Sequence, residues 1–277
     1  MPALGAFETV ATGLDHPEGV AVGPDGLLVA GGEAGQIYRV GTDGSPDEIA
    51  TTGGFIYGVT LDGSGDVFAC DFGNAAVMRI SGSAVSTYSN GTAERPMRVP
   101  NFATFDETGN LYVTDSGEWG DDGLVYRIAP GGATEIWTEA TPRFPNGCCL
   151  SASGGALLVV ESRGRAVVRV PIEDDGSAGR PERLVDLTGS QPDGIALAED
   201  GMMFVGCYRP DRVYRIEPGG TVGVFAEDPD GVVLNQPANV AFLGPNRDRL
   251  VVSSLGGWSL MAAPAGTRGL ALRYPTL

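Results

Sequence analysis

One pattern recurs six times along the 277 residues and leaves few folds open to the chain. Each copy has a Pro-x-Gly-like corner, an alternating apolar strand, an Asp/Gly turn, a second apolar strand, a loop and a third strand. The copies open as HPEGVAVGPDGLLVAGG from His16, IYGVTLDGSGDVFACDF from Ile56, VPNFATFDETGNLYVTDSG from Val99, FPNGCCLSASGGALLVVES from Phe144, QPDGIALAEDGMMFVGCY from Gln191 and QPANVAFLGPNRDRLVVSS from Gln236. Successive copies start 40, 43, 45, 47 and 45 residues apart. The third strands read QIYRV, AVMRI, LVYRI, AVVRV, RVYRI and WSLMA, and a fourth follows in most copies as DEIAT, AVSTY, TEIWT, ERLVD or VGVFA. Four strands at this period describe the blade of a propeller, in which each sheet packs face to face on the next around an axis. The expected fold is therefore all-β, a single six-bladed β-propeller of four-stranded antiparallel blades over residues 1–277. The sixth copy lacks a clear fourth strand. AFETVATG, directly ahead of the first corner, fits that place and would close the ring and protect its edges, with the tail LALRYPTL as its competitor.

Composition agrees with many short strands joined by tight turns: 43 glycines, 19 prolines and only 19% charged residues. The formal charge of −17 would repel phosphate backbones and anionic membrane surfaces, and no Lys/Arg cluster offers a local exception, so nucleic acid and membrane are not expected partners. The N-terminus has no basic segment followed by an apolar run, and nowhere do about 18 apolar residues follow one another. A cytoplasmic protein, monomeric or a small homo-oligomer, acting on a small molecule is the expectation. Cys70, Cys148, Cys149 and Cys207 lack CxxC spacing and sit in strand-like runs, which reads as buried reduced thiols rather than a zinc site.

Aligning the copies on the corner proline, or on its equivalent Ile56, brings Glu18, Tyr57, Asn101, Asn146, Asp193 and Ala238 to the start of the six innermost strands. In a propeller these strands run beside the central channel, so the six residues converge on its mouth. Ordinary turn formation accounts for Asn and Asp at a Pro-x-Gly corner but not for Glu18. Two acids and two amides on one axis would be desolvated and mutually repulsive unless a cation compensates them. An all-oxygen set of this kind suits one divalent metal ion, Ca²⁺ first, with Mn²⁺, Mg²⁺, Zn²⁺ or Fe²⁺ as other occupants. An amide-lined channel held by hydrogen bonds alone is the competing reading.

The corners PEG at 17–19, PN at 100–101, PNG at 145–147 and PDG at 192–194 are where the chain resembles the senescence marker protein (regucalcin) and gluconolactonase family, over nearly its whole length. That resemblance implies that Glu18, Asn146 and Asp193 are metal ligands and that Asn101 contacts the metal shell or the substrate. It implies lactone hydrolysis; similarity to the related diisopropylfluorophosphatases keeps phosphotriester hydrolysis as the alternative. The gluconolactonase members carry an arginine two residues before the third-blade asparagine to grip sugar acids; this chain has Val99 there and Arg98 one step away. Tyr57, with Phe55 near it, and Trp119 point to a partly apolar pocket, and the loop SGEWGDD at 116–122 offers Glu118 as a further substrate contact.

Such a hydrolase would polarise a carbonyl on the metal and activate a water, with Asp193, or else Glu18, as general base. A Ser-His-Asp mechanism would need His16, the lone histidine, and a GxSxG elbow that is absent. A metal-free condensation of the strictosidine-synthase type on the same fold would leave the ligand set unexplained. A propeller serving only as a binding platform is the non-enzymatic rival, since the fold alone implies no chemistry.

Overall fold

In the computed structural model, which describes residues 4–277, each repeat folds into a four-stranded antiparallel sheet. The strand after each corner is the inner one: Val20–Val22, Ile56–Leu61, Pro100–Phe105, Pro145–Leu150, Gln191–Leu197 and Pro237–Leu243. Each inner strand touches that of the next sheet, and the sixth touches the first, so the sheets close into a six-bladed propeller around a channel. The glycine after the ring residue permits this approach: a Cβ on Gly147 would sit 2.6 Å from Gly194 Cα.

Second strands are apolar on both sides because each lies between two neighbouring blades. Val67–Asp71, Leu111–Asp115 and Ala156–Glu161 are buried throughout, whereas the outer strand Ala84–Ser89 is mostly exposed. The core is thus not one body but a set of layers between blades. Phe68, Cys70 and Val77 of the second blade pack on Phe105, Val113 and Tyr126 of the third. Between blades five and six, Phe204 meets Phe225 and Phe242 edge to face at 5.1 and 5.5 Å. Asx turns join first and second strands, as where Asp62 Oδ1 accepts from Ser64 N and Asp66 N while Gly65 takes φ +85°. The four cysteines are free thiols, three of them buried.

The N-terminal strand Glu8–Thr12 pairs with Ser259–Pro264 and completes the sixth blade, as the repeat count requires. The competing tail forms no strand. It crosses the far end of the channel, where Leu270 N donates to Leu197 O (2.8 Å), Gly63 N to Pro275 O (2.8 Å) and the Tyr274 hydroxyl to Val22 O (2.7 Å). With the inner strands it encloses a cavity of about 330 Å³, away from the corner ring. Closure of the ring is noncovalent and rests on packing of the N-terminal segment, with Ala11 and Leu14 buried among Val20, Leu28, Val251 and Leu260. Leu14→Ala is expected to lower stability by about 2–5 kcal/mol in a denaturant titration, because the void between blades six and one cannot collapse. Among the described residues no helix is long and apolar enough to cross a membrane.

Candidate functional site

The corners of blades two, three and four are each fixed by the acid that ends the second strand of the same blade. Asp115 accepts from Arg98 N (2.7 Å), Val99 N (3.1 Å) and Gly117 N (3.0 Å); Asp71 accepts from Phe55 N (3.0 Å) and Glu161 from Arg143 N (3.0 Å). These carboxylates hold the chain entering the corner, and the ring residues follow from that fixed point.

Glu18, Asn101, Asn146 and Asp193 are 4, 1, 3 and 1% exposed at the start of their inner strands. Asn101 Nδ2 donates to Ser116 Oγ (3.0 Å), and Ser116 donates its own proton to Pro145 O of the next blade (2.7 Å). The same pair of bonds runs from Asn146 Nδ2 to Ser162 Oγ (3.1 Å) and from Ser162 to Pro192 O (2.6 Å). A serine that spends its proton on a carbonyl can only accept from the amide, so the amide nitrogens are committed and the oxygens are left over. Asn101 Oδ1, Asn146 Oδ1 and Asp193 Oδ1 are buried with no hydrogen-bond partner. Two further hydroxyls make equivalent links to the next blade, Thr114 Oγ1 to Asn146 O (2.7 Å) and Ser253 Oγ to Glu18 O (2.6 Å).

Burial pushes the Glu18 carboxyl well above the usual carboxylate range, and the Asp193 charge beside it pushes it further. Burial raises Asp193 to about 7, against the opposing pull of a hydrogen bond from Asn146. The largest cause is the same for both: a carboxylate withdrawn from water into the channel mouth lacks a compensating charge. Tyr57 is brought to the same place, and burial followed by the charges of Glu18 and Asp193 raises its phenol.

The other sequence-expected residues lie at the rim. Arg98 pairs with Asp122 and stands 3.9 Å from Glu118 Oε1, which is itself largely exposed. Trp119 is half exposed and packs against Phe144, ring centroids 4.7 Å apart and planes tilted by 56°. His16, at φ +42°, bonds side chains, Asp15 Oδ1 at 2.9 Å and Glu33 Oε2 at 3.2 Å, and its contact draws the Asp15 carboxyl below its ordinary range. Among the described residues, these three alone bring His, Cys, Asp or Glu ligand atoms together within 4.8 Å.

Three features escaped the sequence. Ser116 and Ser162 orient the amides, and carrying the repeat alignment one strand further would have found them. Tyr208, which the same alignment places at the end of the fifth blade's second strand, feels the Asp193 and Glu18 charges. The sixth blade also contributes an amide one residue after Ala238: Asn239 is fully buried, both its side-chain polar atoms lack partners, and Gly194 makes room for it, since a Cβ there would lie 2.1 Å from Asn239 Oδ1.

Comparison with known proteins agrees with the propeller fold. A profile of the strictosidine synthase-like N-terminal region matches residues 2–40. Virginiamycin B lyase of Nocardia farcinica is 27% identical over 179 residues, 65% of this chain and 57% of that protein. The lactonase drp35 of Staphylococcus aureus is 25% identical over 225 residues, 73% of this chain and 67% of that protein. The chain thus spans 57% and 67% of the length of these curated relatives. A crystal structure of regucalcin from Agrobacterium tumefaciens, described as a calcium-binding protein, superposes with a TM-score of 0.76 at 17% identity, covering 97% of each chain. The profile of the SMP-30/gluconolactonase/LRE-like region matches residues 31–256, most of the sequence, and the chain belongs to that family.

Proposed function

We propose that the protein is a metal-dependent hydrolase that opens a small lactone. The observation that carries this reading is the trio of buried, unpartnered oxygens on Asn101, Asn146 and Asp193, beside the Glu18 carboxyl. Oxygen-only donors with two potential charges fit a hard divalent cation, Ca²⁺ above all, and the calcium-binding description of the regucalcin neighbour supports the same choice. Family membership and the lactonase relative support the substrate class. A cation held by these four residues would offset the buried charge and polarise a carbonyl oxygen.

The chain's own groups supply the rest. Asp193 takes the proton of an attacking water; as the water oxygen bonds to the acyl carbon and the ring C–O bond breaks, the proton goes to the departing ring oxygen, and a hydroxy acid results. Glu18 is the second carboxylate and the other candidate base. Asn101 and Tyr57 touch the lactone, while Arg98, Glu118 and Trp119 form the outer rim through the 116–122 loop.

A pH-indicator assay of metal-stripped protein tests this, run on aldonolactones, aliphatic lactones, aryl esters and one phosphotriester with Ca²⁺, Mn²⁺, Mg²⁺, Zn²⁺ or Fe²⁺ added back. Lactone opening that appears with the cation and vanishes with chelator is the expected result. Turnover indifferent to metal, or confined to the phosphotriester, overturns it. Ser162→Ala should weaken Ca²⁺ binding roughly 10–100-fold by calorimetric titration with the fold intact, because the Asn146 amide loses the contact that sets its orientation.

A further inference from the structure

A second ring of side chains surrounds the oxygen donors, and its chemistry is uneven. In four blades the residue after the second strand donates its N–H to the residue two before the ring position: Phe72 to Phe55 O (2.8 Å), Ser116 to Val99 O (2.9 Å), Ser162 to Phe144 O (3.0 Å) and Leu255 to Gln236 O (3.0 Å). In the fifth blade the pairing of Pro192 with Cys207 puts Tyr208 at this position. The third and fourth blades therefore present serine, and the second and fifth, on opposite sides of the channel, present aromatic rings.

The second-blade side is a three-ring cluster. Phe72 stacks on Tyr57 at 5.1 Å with only 2° between the ring planes, and Phe55 meets Tyr57 edge-on at 4.8 Å. Phe72 is 40% exposed, an unusual cost for a phenylalanine unless its face is covered by something else. Tyr208 faces the same pair of carboxylates as Tyr57 from the fifth blade. The polar side of the ring, meanwhile, keeps the Asn239 amide unpartnered but few other free donors. The hydroxyls of Ser116 and Ser162 are spent on Asn amides and proline carbonyls, and the Arg98 guanidinium is engaged by Asp122. A polyhydroxylated ring placed here would lose water from more hydroxyls than the Asn239 amide could partner, with aromatic faces on blades two and five, and a site discriminates against such unpaired groups.

We infer that the substrate is a lactone carrying a flat apolar arm, phenyl or short alkyl, clasped between the Phe72–Tyr57 stack and Tyr208, and that Phe72 determines this specificity. The inference rests on the lactone-hydrolase reading and deepens it. The acyl carbon then lies towards Asn101 and Asn146 of blades three and four, and the arm spans from blade two to blade five.

The test compares kcat/KM for γ-butyrolactone, γ-phenyl-γ-butyrolactone and an aldonolactone in Ca²⁺-containing buffer, for the native protein, Phe72→Ala and Phe72→Leu. The native protein should favour the phenyl lactone over the aldonolactone by at least about tenfold, and Phe72→Ala should lower the phenyl-lactone value roughly 10–100-fold, mainly through KM. The loss on γ-butyrolactone should be several-fold smaller, and Phe72→Leu should recover most of the phenyl-lactone activity. A native preference for the aldonolactone, or an equal loss on all three in Phe72→Ala, overturns the assignment. Should no lactone be opened, the hydrolase reading fails and the clasp is judged by calorimetric binding of γ-phenyl-γ-butyrolactam: saturable binding weakened by Phe72→Ala upholds it, and absence of binding sinks it.

Discussion

Asp193→Ala and Asn146→Ala should each reduce lactone hydrolysis at least about a thousandfold while the propeller stays folded. Each removes one of the buried oxygens that lacks a partner within the chain, and Asn146→Ala gives up besides it the amide's bond to Ser162. Asp193→Ala also removes the preferred proton acceptor and leaves Glu18 as the single carboxyl of the ring. Its metal-free form should unfold at a higher temperature than the native metal-free protein at pH 8, because a desolvated charge beside Glu18 is gone. That opposition, activity lost and bare-protein stability gained, separates a site residue from a structural one. Steady-state rates together with thermal midpoints check it, and retention of more than a tenth of native activity in both variants would exclude the assignment.

The second large effect is a dependence of metal-free stability on pH. Glu18 and Asp193 both have raised pKa values, Asp193 moving from 3.8 to about 7. A carboxyl raised on folding holds its proton more tightly folded than unfolded, so its stabilising effect is complete below the unfolded value and is lost as pH rises through the folded one. The metal-free protein should therefore weaken between about pH 4 and pH 7, by roughly 3–4 kcal/mol for Asp193 alone at 1.36 kcal/mol per unit. Added Ca²⁺ should widen the difference in midpoint as pH climbs from 5 to 8 and should release protons below pH 7. A calcium effect constant across that range would show that these carboxyls are not the cation's ligands.

What the sequence disclosed was whatever each repeat specifies locally. Pro-x-Gly corners, Asp/Gly turns and alternating strands are short-range signals, and six of them in step revealed the blades, the closing N-terminal strand and the ring of Glu18, Asn101, Asn146 and Asp193. What stayed hidden depends on how strands pair. Register shifts between Pro145 and Cys148, and between Pro237 and Val240, mean that equal spacing along the chain does not place residues opposite one another. Asn239 stands where most other blades carry glycine, at Gly19, Gly58, Gly147 and Gly194, and so lies beside the aligned position, while Ser162, Phe72 and Tyr208 come from the second-strand side of their blades and not from the strand of the ring residues they adjoin. The involvement of Arg98 with Asp122 was illegible for another reason: the 116–122 loop has no periodicity to read.

The serine and threonine links between inner corners point in one rotational sense. Thr114 and Ser116 of blade three reach the corner of blade four, Ser162 of blade four reaches blade five, and Ser253 of blade six reaches blade one. Position around the ring at blade four is accordingly set twice, by the acid of its own blade and by the hydroxyls of the preceding one. A disturbance in the second strand of blade three should therefore reach Asn146, which that blade does not contain, as well as its own Asn101. Distant substitutions in this protein should be traced forward around the ring, to the oxygen their neighbour presents.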